Sequence, residues 1–212
     1  MSKKLPVFSL RWILSTFLVM IAIGTAAAFI VGFDAFASSG TTCDNLPVTI
    51  VGTAGDDILH GTEGDDVIHG FDGNDIIDSG EGNDVICGGG GDDVLDGDAG
   101  DDRLFGGPGN DRVDGGVGND LVTGGEGDDE LYGGDGDDLI QGGFGHDSIF
   151  GGLGRDNLQG SEGNDILDSG DDLSVQNGSM SDERLDGGIG EDVCRGVVKD
   201  DTFTGCEDVL NK

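Results

Sequence analysis

The sequence has few aromatic residues, few prolines and few basic residues for its length. Aromatic side chains make up 6% of the 212 residues, which argues against a large conventional hydrophobic core. The 44 glycines are accompanied by only 3 prolines, and this ratio excludes a collagen triple helix. Ten Lys and Arg against 44 Asp and Glu give a formal charge of −34. We therefore expect no nucleic-acid partner, because phosphates would be repelled.

Motifs of hydrolytic enzymes are also missing. The sequence contains no H-E-x-x-H and no G-x-S-x-G, the arrangements that would place a zinc-bound water or a serine nucleophile. Its three histidines, His60, His69 and His146, fall at positions that we predict to be turns or outward-facing strand residues. An EF-hand is excluded as well, since glycine pairs every nine residues would interrupt its flanking helices. We expect no catalytic site.

The sequence is instead dominated by one repeat of nine residues, G-G-x-G-(D/N)-D-x-U-x, in which U is aliphatic. Thirteen such repeats fill residues 52–168, and residues 124–132 read Gly-Gly-Glu-Gly-Asp-Asp-Glu-Leu-Tyr. Positions one to nine are counted from the first glycine of this repeat. The aspartates at position six are Asp57, Asp66, Asp75, Asp84, Asp93, Asp102, Asp111, Asp120, Asp129, Asp138, Asp147, Asp156 and Asp165. A fixed period of this kind predicts a solenoid of small stacked units.

The repeat is flanked by less regular segments. Residues 169–186 are two periods long and are interpreted as two degenerate repeats or a loop, with Leu185 still at position eight. A final repeat occupies residues 187–195. Residues 38–51 and 196–212 are predicted to be caps, because the terminal units of a solenoid have one uncovered face.

The first 37 residues have the layout of a secretory signal. A basic start precedes an uncharged apolar run over residues 12–33, and Ala35-Phe36-Ala37 then forms a small-x-small site. The apolar run is long enough to span a bilayer as a helix. Cleavage after Ala37 and retention as a signal anchor both remain open. Either alternative places the rest of the chain outside the cytoplasm.

Four cysteines fit an oxidising compartment. They allow three disulfide connectivities, of which we favour Cys43–Cys87 and Cys194–Cys206 because each pair lies near one end of the array. Metal binding by the thiols is the weaker alternative, since no C-x-x-C pair occurs.

The nonapeptide resembles the glycine-rich repeat of the RTX (repeats-in-toxin) proteins over residues 52–168 and 187–195. The resemblance implies an all-β fold, a right-handed parallel β-roll or β-solenoid. Each repeat would contribute a six-residue turn and a three-residue strand, and two repeats would complete one coil. It also implies that calcium ions are held between the turns of stacked repeats.

The residue chemistry is compatible with such sites. Glycines at positions one, two and four permit left-handed backbone conformations and leave carbonyl groups uncovered, and calcium prefers six to eight oxygen ligands. We predict that the thirteen aspartates are ligands and that Asp192 is a weaker one. The predicted carbonyl ligands are at position four: Gly73, Gly82, Gly91, Gly100, Gly109, Gly118, Gly127 and Gly136.

Charge makes metal binding and folding interdependent. Residues 52–168 hold 31 acidic residues against three arginines, a net of −28. Thirteen repeats form at most 11 stacked pairs, and 11 calcium ions would leave a net of −6. We therefore expect the array to be disordered without calcium. His146 and Arg155 replace the usual Asp or Asn at position five and should weaken the adjacent sites.

The sequence thus predicts an exported, extracellular calcium-binding protein with a structural or cell-surface role. An adhesive or self-associating module is the alternative, based on an outward apolar strip at position seven: Ile58, Val67, Ile76, Val85 and Val94. Such residues also simply suit β-strands. A membrane is a partner only if the N-terminal segment is retained, and no protein or glycan partner is identified.

Overall fold

In the computed structural model, residues 42–170, 184–196 and 202–211 are described, and their regular structure is entirely β-strand. The predicted signal or anchor helix of residues 1–37 lies outside these ranges. Within them, no helix has the length and apolar character needed to cross a bilayer.

The described ranges contain twenty short strands. The first ten are β1 (Thr42–Cys43), β2 (Leu46–Pro47), β3 (Ile50–Val51), β4 (Ile58–Thr62), β5 (Val67–Asp72), β6 (Ile76–Gly80), β7 (Val85–Gly90), β8 (Val94–Asp96), β9 (Arg103–Pro108) and β10 (Arg112–Val117). The remaining ten are β11 (Leu121–Glu126), β12 (Glu130–Asp135), β13 (Leu139–Phe144), β14 (Ser148–Leu153), β15 (Asn157–Glu162), β16 (Ile166–Asp168), β17 (Arg184–Ile189), β18 (Val193–Gly196), β19 (Thr202–Thr204) and β20 (Asp208–Asn211).

Eighteen of these strands form two parallel sheets. Sheet I contains the even-numbered strands β4 to β20, and sheet II contains the odd-numbered strands β3 to β19. Successive repeats alternate between the sheets, so each strand pairs with the strand two repeats away. Val113, for example, pairs with Leu131, which has the same position two repeats later. The fold is therefore a parallel β-solenoid, as predicted.

Most strands are longer than the predicted three residues. Strand β11, for example, covers positions seven to nine of one repeat and positions one to three of the next. The glycines at the strand ends also pair between coils, as Gly116 does with Gly134. The backbone of the first three positions thus belongs to the sheets, which leaves a turn of only three residues between strands.

The core contains one aliphatic side chain per repeat, at position eight. These side chains are almost completely buried and form a single cluster. Its members are Ile68, Ile77, Ile86, Leu95, Leu104, Val113, Val122, Leu131, Ile140, Ile149, Leu158, Leu167 and Leu185, with Cys194 at the C-terminal end. Each coil adds only two such residues, so the apolar core is thin. Polar contacts between coils must therefore contribute to the stability of the stack as well.

The regular offset between paired strands changes in two places. It is longer after the thirteenth repeat, and it is shorter at the C-terminal end, where Val193 of β18 pairs with Asp208 of β20. Asn157 pairs with Arg184 and Ile166 pairs with Val193, so the partner lies three repeat lengths along the chain, whereas between the earlier strands it lies two. Leu185 is fully buried at position eight, as predicted. The ladders thus continue in register across one additional repeat length of sequence.

Both predicted disulfides are present, Cys43–Cys87 and Cys194–Cys206. The first joins the antiparallel β1–β2 pair to sheet II, where β1 contacts β5 and β7. This contact explains one correction: Val85, predicted to belong to an exposed apolar strip, is only 6% exposed.

Candidate metal centre

The position-six aspartates lie on the inner side of the turns. From Asp66 to Asp165, and again at Asp192, each is 8% exposed or less, whereas Asp57 in the first repeat is half-buried. Burial of acidic side chains in a chain with so few cations requires a compensating interaction for each carboxylate oxygen.

From Asp75 onward, one oxygen of each position-six carboxylate stabilises the stacking of coils. The Oδ1 atom of Asp120 accepts a hydrogen bond of 2.8 Å from the backbone N–H of Asp102, one coil earlier. The same contact recurs along both stacks of turns with distances of 2.7–3.0 Å. It also spans the longer offset, because Asp192 accepts from the N–H of Asp165 at 2.9 Å.

The other oxygen, Oδ2, is buried without a hydrogen-bond partner in much of the ladder. Among the described residues this holds for Asp75, Asp84, Asp93, Asp102, Asp111, Asp120, Asp129, Asp138, Asp147, Asp165 and Asp192. An unpaired buried carboxylate oxygen is costly, since it has lost water and gained nothing in exchange. Because the unpaired Oδ2 atom recurs in successive coils, it indicates a ligand-binding site and not an isolated packing defect.

Burial also opposes ionisation of these groups. It raises the pKa of Asp93, Asp102 and Asp129 to about 7, with neighbouring carboxylates adding to the effect. The pKa is raised to about 6 at Asp111, Asp120, Asp138 and Asp165. Near neutral pH the ladder therefore needs nearby positive charge to remain fully ionised.

Backbone carbonyl groups face the same gaps as the unpaired oxygens. A β-carbon at Gly133, in position one, would lie 2.4 Å from Asp138 Oδ2 and 2.5 Å from the carbonyl oxygen of Gly151 in the next coil. The glycines at position one do not have a positive φ, contrary to our prediction. A side chain at Gly133 would fill the space that the two oxygens share. Position one of the fourth repeat is instead Ser79, whose buried hydroxyl donates to the Gly97 carbonyl oxygen of the next coil at 3.0 Å.

At positions two and four, the predicted left-handed conformations are found. Gly125 and Gly127 have φ values of +132° and +133°. The eight position-four carbonyl oxygens that we predicted as ligands point along the stack. Each lies 1.6–2.2 Å from where a β-carbon of the position-four glycine in the next coil would be. These carbonyl groups therefore line the narrow spaces between turns.

The first two repeats show directly which oxygens converge. The hydroxyl of Thr62 donates to Asp66 Oδ2 at 2.8 Å and lies 3.2 Å from the carbonyl oxygen of Gly64. Thr53 makes the equivalent contacts with Asp57 Oδ2 and the Gly55 carbonyl, at 2.8 and 3.3 Å. The position-six carboxylate and the position-four carbonyl of one repeat can thus contact a single atom.

This set of oxygens fits calcium. Calcium accepts mixtures of carboxylate and carbonyl oxygens, typically six to eight in number. Within the described ranges no group of three or more His, Cys, Asp or Glu side chains converges, so carbonyl groups must complete any such site. The arginines are engaged elsewhere, since Arg103 pairs with Asp44 and Arg112 with Glu130.

Position five forms a second ladder that the sequence analysis did not identify. Asp101 Oδ1 accepts from the N–H of Asn119, and Asn119 Oδ1 accepts in turn from Asp137. These contacts, 2.8–3.0 Å long, recur along the exposed side of the turns. Position five is Asp or Asn in eleven repeats, and this restriction is the sequence feature from which the hydrogen-bonding role could have been predicted.

The two exceptions at position five are accommodated within this ladder. His146 accepts the N–H of Asn164 through Nδ1 at 2.9 Å, as a carboxylate or amide would. The guanidinium group of Arg155 contacts Asp137 Oδ2 at 2.7 Å. Weaker calcium binding near these two residues remains a prediction.

The other two histidines make local contacts. His69 stacks on Phe71 and accepts its backbone N–H through Nδ1, and burial lowers the pKa of His69. His60 lies 3.5 Å from Asp78 on the outer face of sheet I.

Each of the two stacks of position-six aspartates is closed at one end by a residue of a cap. At the N-terminal end, Thr49 donates its hydroxyl to Asp66 Oδ1 at 3.1 Å. At the C-terminal end, Glu207 Oε2 accepts the backbone N–H of Asp192 at 2.7 Å. At these two positions a cap residue makes the hydrogen bond that a further repeat would otherwise make.

The comparison with protein families agrees with this geometry. A family model for the RTX calcium-binding nonapeptide repeat, in four copies, matches residues 51–86, 88–122, 114–149, 123–158 and 141–172. These stretches together cover more than half of the chain. No curated protein matches it. With its nonapeptides stacked as a parallel β-solenoid around a buried aspartate ladder, the chain belongs to the RTX calcium-binding repeat family.

Proposed function

We propose that this chain is an exported structural protein whose solenoid forms when calcium binds between its turns. The row of buried, unpaired Oδ2 atoms carries the proposal. Each faces backbone carbonyl oxygens, and together they form a ligand set of the kind calcium prefers. The role is non-catalytic, and the coil has the right-handed sense that the family resemblance implies.

Electrostatics supports a coupling between binding and folding. The thirteen repeats carry a net charge of −28, and stacking brings like-charged carboxylates of adjacent coils close together in a medium of low dielectric constant. Up to 11 calcium ions would reduce this charge to −6. Binding free energy then becomes folding free energy, as in small metal-dependent domains.

The two disulfides support an extracellular location, because such bonds persist in oxidising compartments. Export through the N-terminal apolar segment is part of the proposal. Mass spectrometry of the N-terminus of the native protein would distinguish a secreted form from an anchored one.

Circular dichroism of the calcium-depleted chain tests the central proposal. We expect a largely disordered spectrum that becomes β-rich on addition of millimolar calcium. Magnesium should be a poor substitute, since it requires shorter bonds and near-ideal octahedral geometry. A spectrum that calcium leaves unchanged would contradict the proposal.

Two adjacent substitutions provide a matched comparison. Asp101→Asn and Asp102→Asn each remove one negative charge, but only Asp102 has a buried Oδ2 facing the gap between turns. Asn already occupies position five in several repeats. We expect Asp102→Asn to raise the calcium midpoint of folding and Asp101→Asn to leave it close to that of the parent. Equal shifts would indicate that only overall charge matters.

A second candidate function, self-association, has one observation in its favour. Ile58, Ile76 and Val94 lie in register on adjacent strands of sheet I and are 69%, 48% and 41% exposed. A column of exposed apolar residues is a feature of contact surfaces. Sedimentation in calcium tests this candidate: oligomers should be lost in Ile76→Lys and kept in Ile76→Leu, and a monomeric parent would refute it.

A further inference from the structure

The first two repeats differ from the others at position two, where Thr53 and Thr62 replace glycine. In most of the later repeats this position has a positive φ, including Phe71, Asp98 and Ser161. Neither threonine does. The two turns at the N-terminal end therefore have a different backbone conformation from those within the stack.

This conformation directs the threonines at the aspartates. Asp66 Oδ2 accepts both the backbone N–H of Thr62, at 2.9 Å, and its hydroxyl, at 2.8 Å. Asp57 Oδ2 accepts the same two groups of Thr53, at 2.5 and 2.8 Å. The carboxylate oxygens that are unpaired in later coils are thus fully hydrogen-bonded in these two repeats.

A hydroxyl at position two is not sufficient by itself. Ser161 has a φ of +90°, and its buried hydroxyl has no hydrogen-bond partner among the described residues, while Asp165 Oδ2 is also unpaired. The end turns can adopt the other conformation because the described chain has no coil stacked before them. A β-carbon at Gly55 or Gly64 would meet nothing within 4 Å.

We propose that the hydroxyls of Thr53 and Thr62 take the place of the cation in the first two repeats. The ladder of thirteen aspartates then has two calcium-free members, and calcium sites begin at the repeat of Asp75. This inference rests on the proposed function, since it concerns which repeats bind the ion. The physical reason is that each hydroxyl contacts both the carboxylate and the carbonyl oxygen that a cation would require.

Native mass spectrometry of the full oxidised chain, titrated with calcium, tests the proposal by counting bound ions. Asp102→Asn should carry one ion fewer than the parent at a calcium concentration that just saturates the parent. Asp66→Asn, the same change in a threonine-containing repeat, should carry the parent's number. Loss of an ion in Asp66→Asn would overturn the proposal.

A second pair of variants tests the hydroxyl without altering a carboxylate. Thr62→Gly restores the repeat consensus and should add one bound ion, whereas Thr62→Ser keeps the hydroxyl and should not. An unchanged count in Thr62→Gly would overturn the proposal. Failure of the proposed function gives a different result, because the parent itself would then bind no calcium.

Discussion

Glycine at position four is held at a positive φ directly against the carbonyl group of the preceding coil. At Gly127, φ is +133° and a β-carbon would lie 1.8 Å from the Gly109 oxygen. Gly64 occupies the same position in the second repeat, but has neither constraint. The same residue type at the same repeat position therefore has different importance depending on whether a coil precedes it.

This difference predicts the effect of alanine at the two sites. Gly127→Ala should lower the free energy of unfolding in calcium by at least about 1–3 kcal/mol, through backbone strain and the contact with Gly109. Gly64→Ala should be neutral or slightly stabilising, because alanine reduces the entropy of the unfolded chain. Denaturant unfolding at saturating calcium measures both, and equal effects would contradict the structural explanation.

At the scale of residues, the position-six aspartates could be predicted because their nine-residue period can be read directly from the linear sequence. It did not reveal that Oδ1 and Oδ2 have separate roles, or that position five forms its own ladder. Both depend on contacts between equivalent residues of stacked coils, which exist only once the stacking register is known. The contacts of Thr62 with Asp66 likewise depend on a turn conformation that composition does not specify.

Individual strands contribute one inward aliphatic residue each, and the neighbouring side chains are outside. On β13, Ile140 is fully buried whereas Leu139 is 45% exposed. Ile140→Ala should cost about 2–5 kcal/mol of stability in calcium, through lost burial and a residual cavity. Leu139→Ala should cost less than about 1 kcal/mol. Thermal unfolding of the two calcium-loaded variants compares them, and a larger loss for Leu139→Ala would contradict the assigned strand orientation.

At the scale of elements, the phase of the strands was predictable and their length was not. The aliphatic residue at position eight indicates which side of the strand faces inward. The strands are longer because glycines such as Gly116 and Gly134 also pair, and glycines produce no hydrophobic pattern in the sequence. The burial of Val85 was also unpredictable, because it depends on β1, a two-residue strand joined to sheet II by a disulfide.

For the whole molecule, the aspartate pKa values predict opposite effects of pH on folding with and without metal. Burial raises the pKa of Asp93, Asp102 and Asp129 to about 7, above the value of about 3.9 expected in an unfolded chain. The folded state thus favours the protonated form of these three aspartates more than the unfolded state does. Their contribution to stability is fully present below about pH 4 and is lost as the pH rises through about 6 to 7.

In calcium-depleted buffer, the β-rich signal should therefore be stronger at pH 5 than at pH 7.5. The calcium concentration needed for folding should show the reverse, being higher at pH 5 because protons compete for the carboxylates. Circular dichroism at both pH values measures the two quantities. Asp129→Asn, which does not titrate, should reduce the pH dependence, and a metal-free signal that increases with pH would contradict the prediction.

The pairing of each strand with the strand two repeats away has a consequence for how such an array can change in length. Adding or removing two repeats inserts or deletes one complete coil and leaves every later strand in its original sheet. A single additional repeat that joined the stack would transfer all later strands to the opposite sheet. Between Asn157 and Arg184 the chain instead contains one additional repeat length while the later strands keep their places. Solenoids of this kind should therefore differ among relatives by even numbers of stacked repeats, with odd insertions tolerated only where they do not join the ladder.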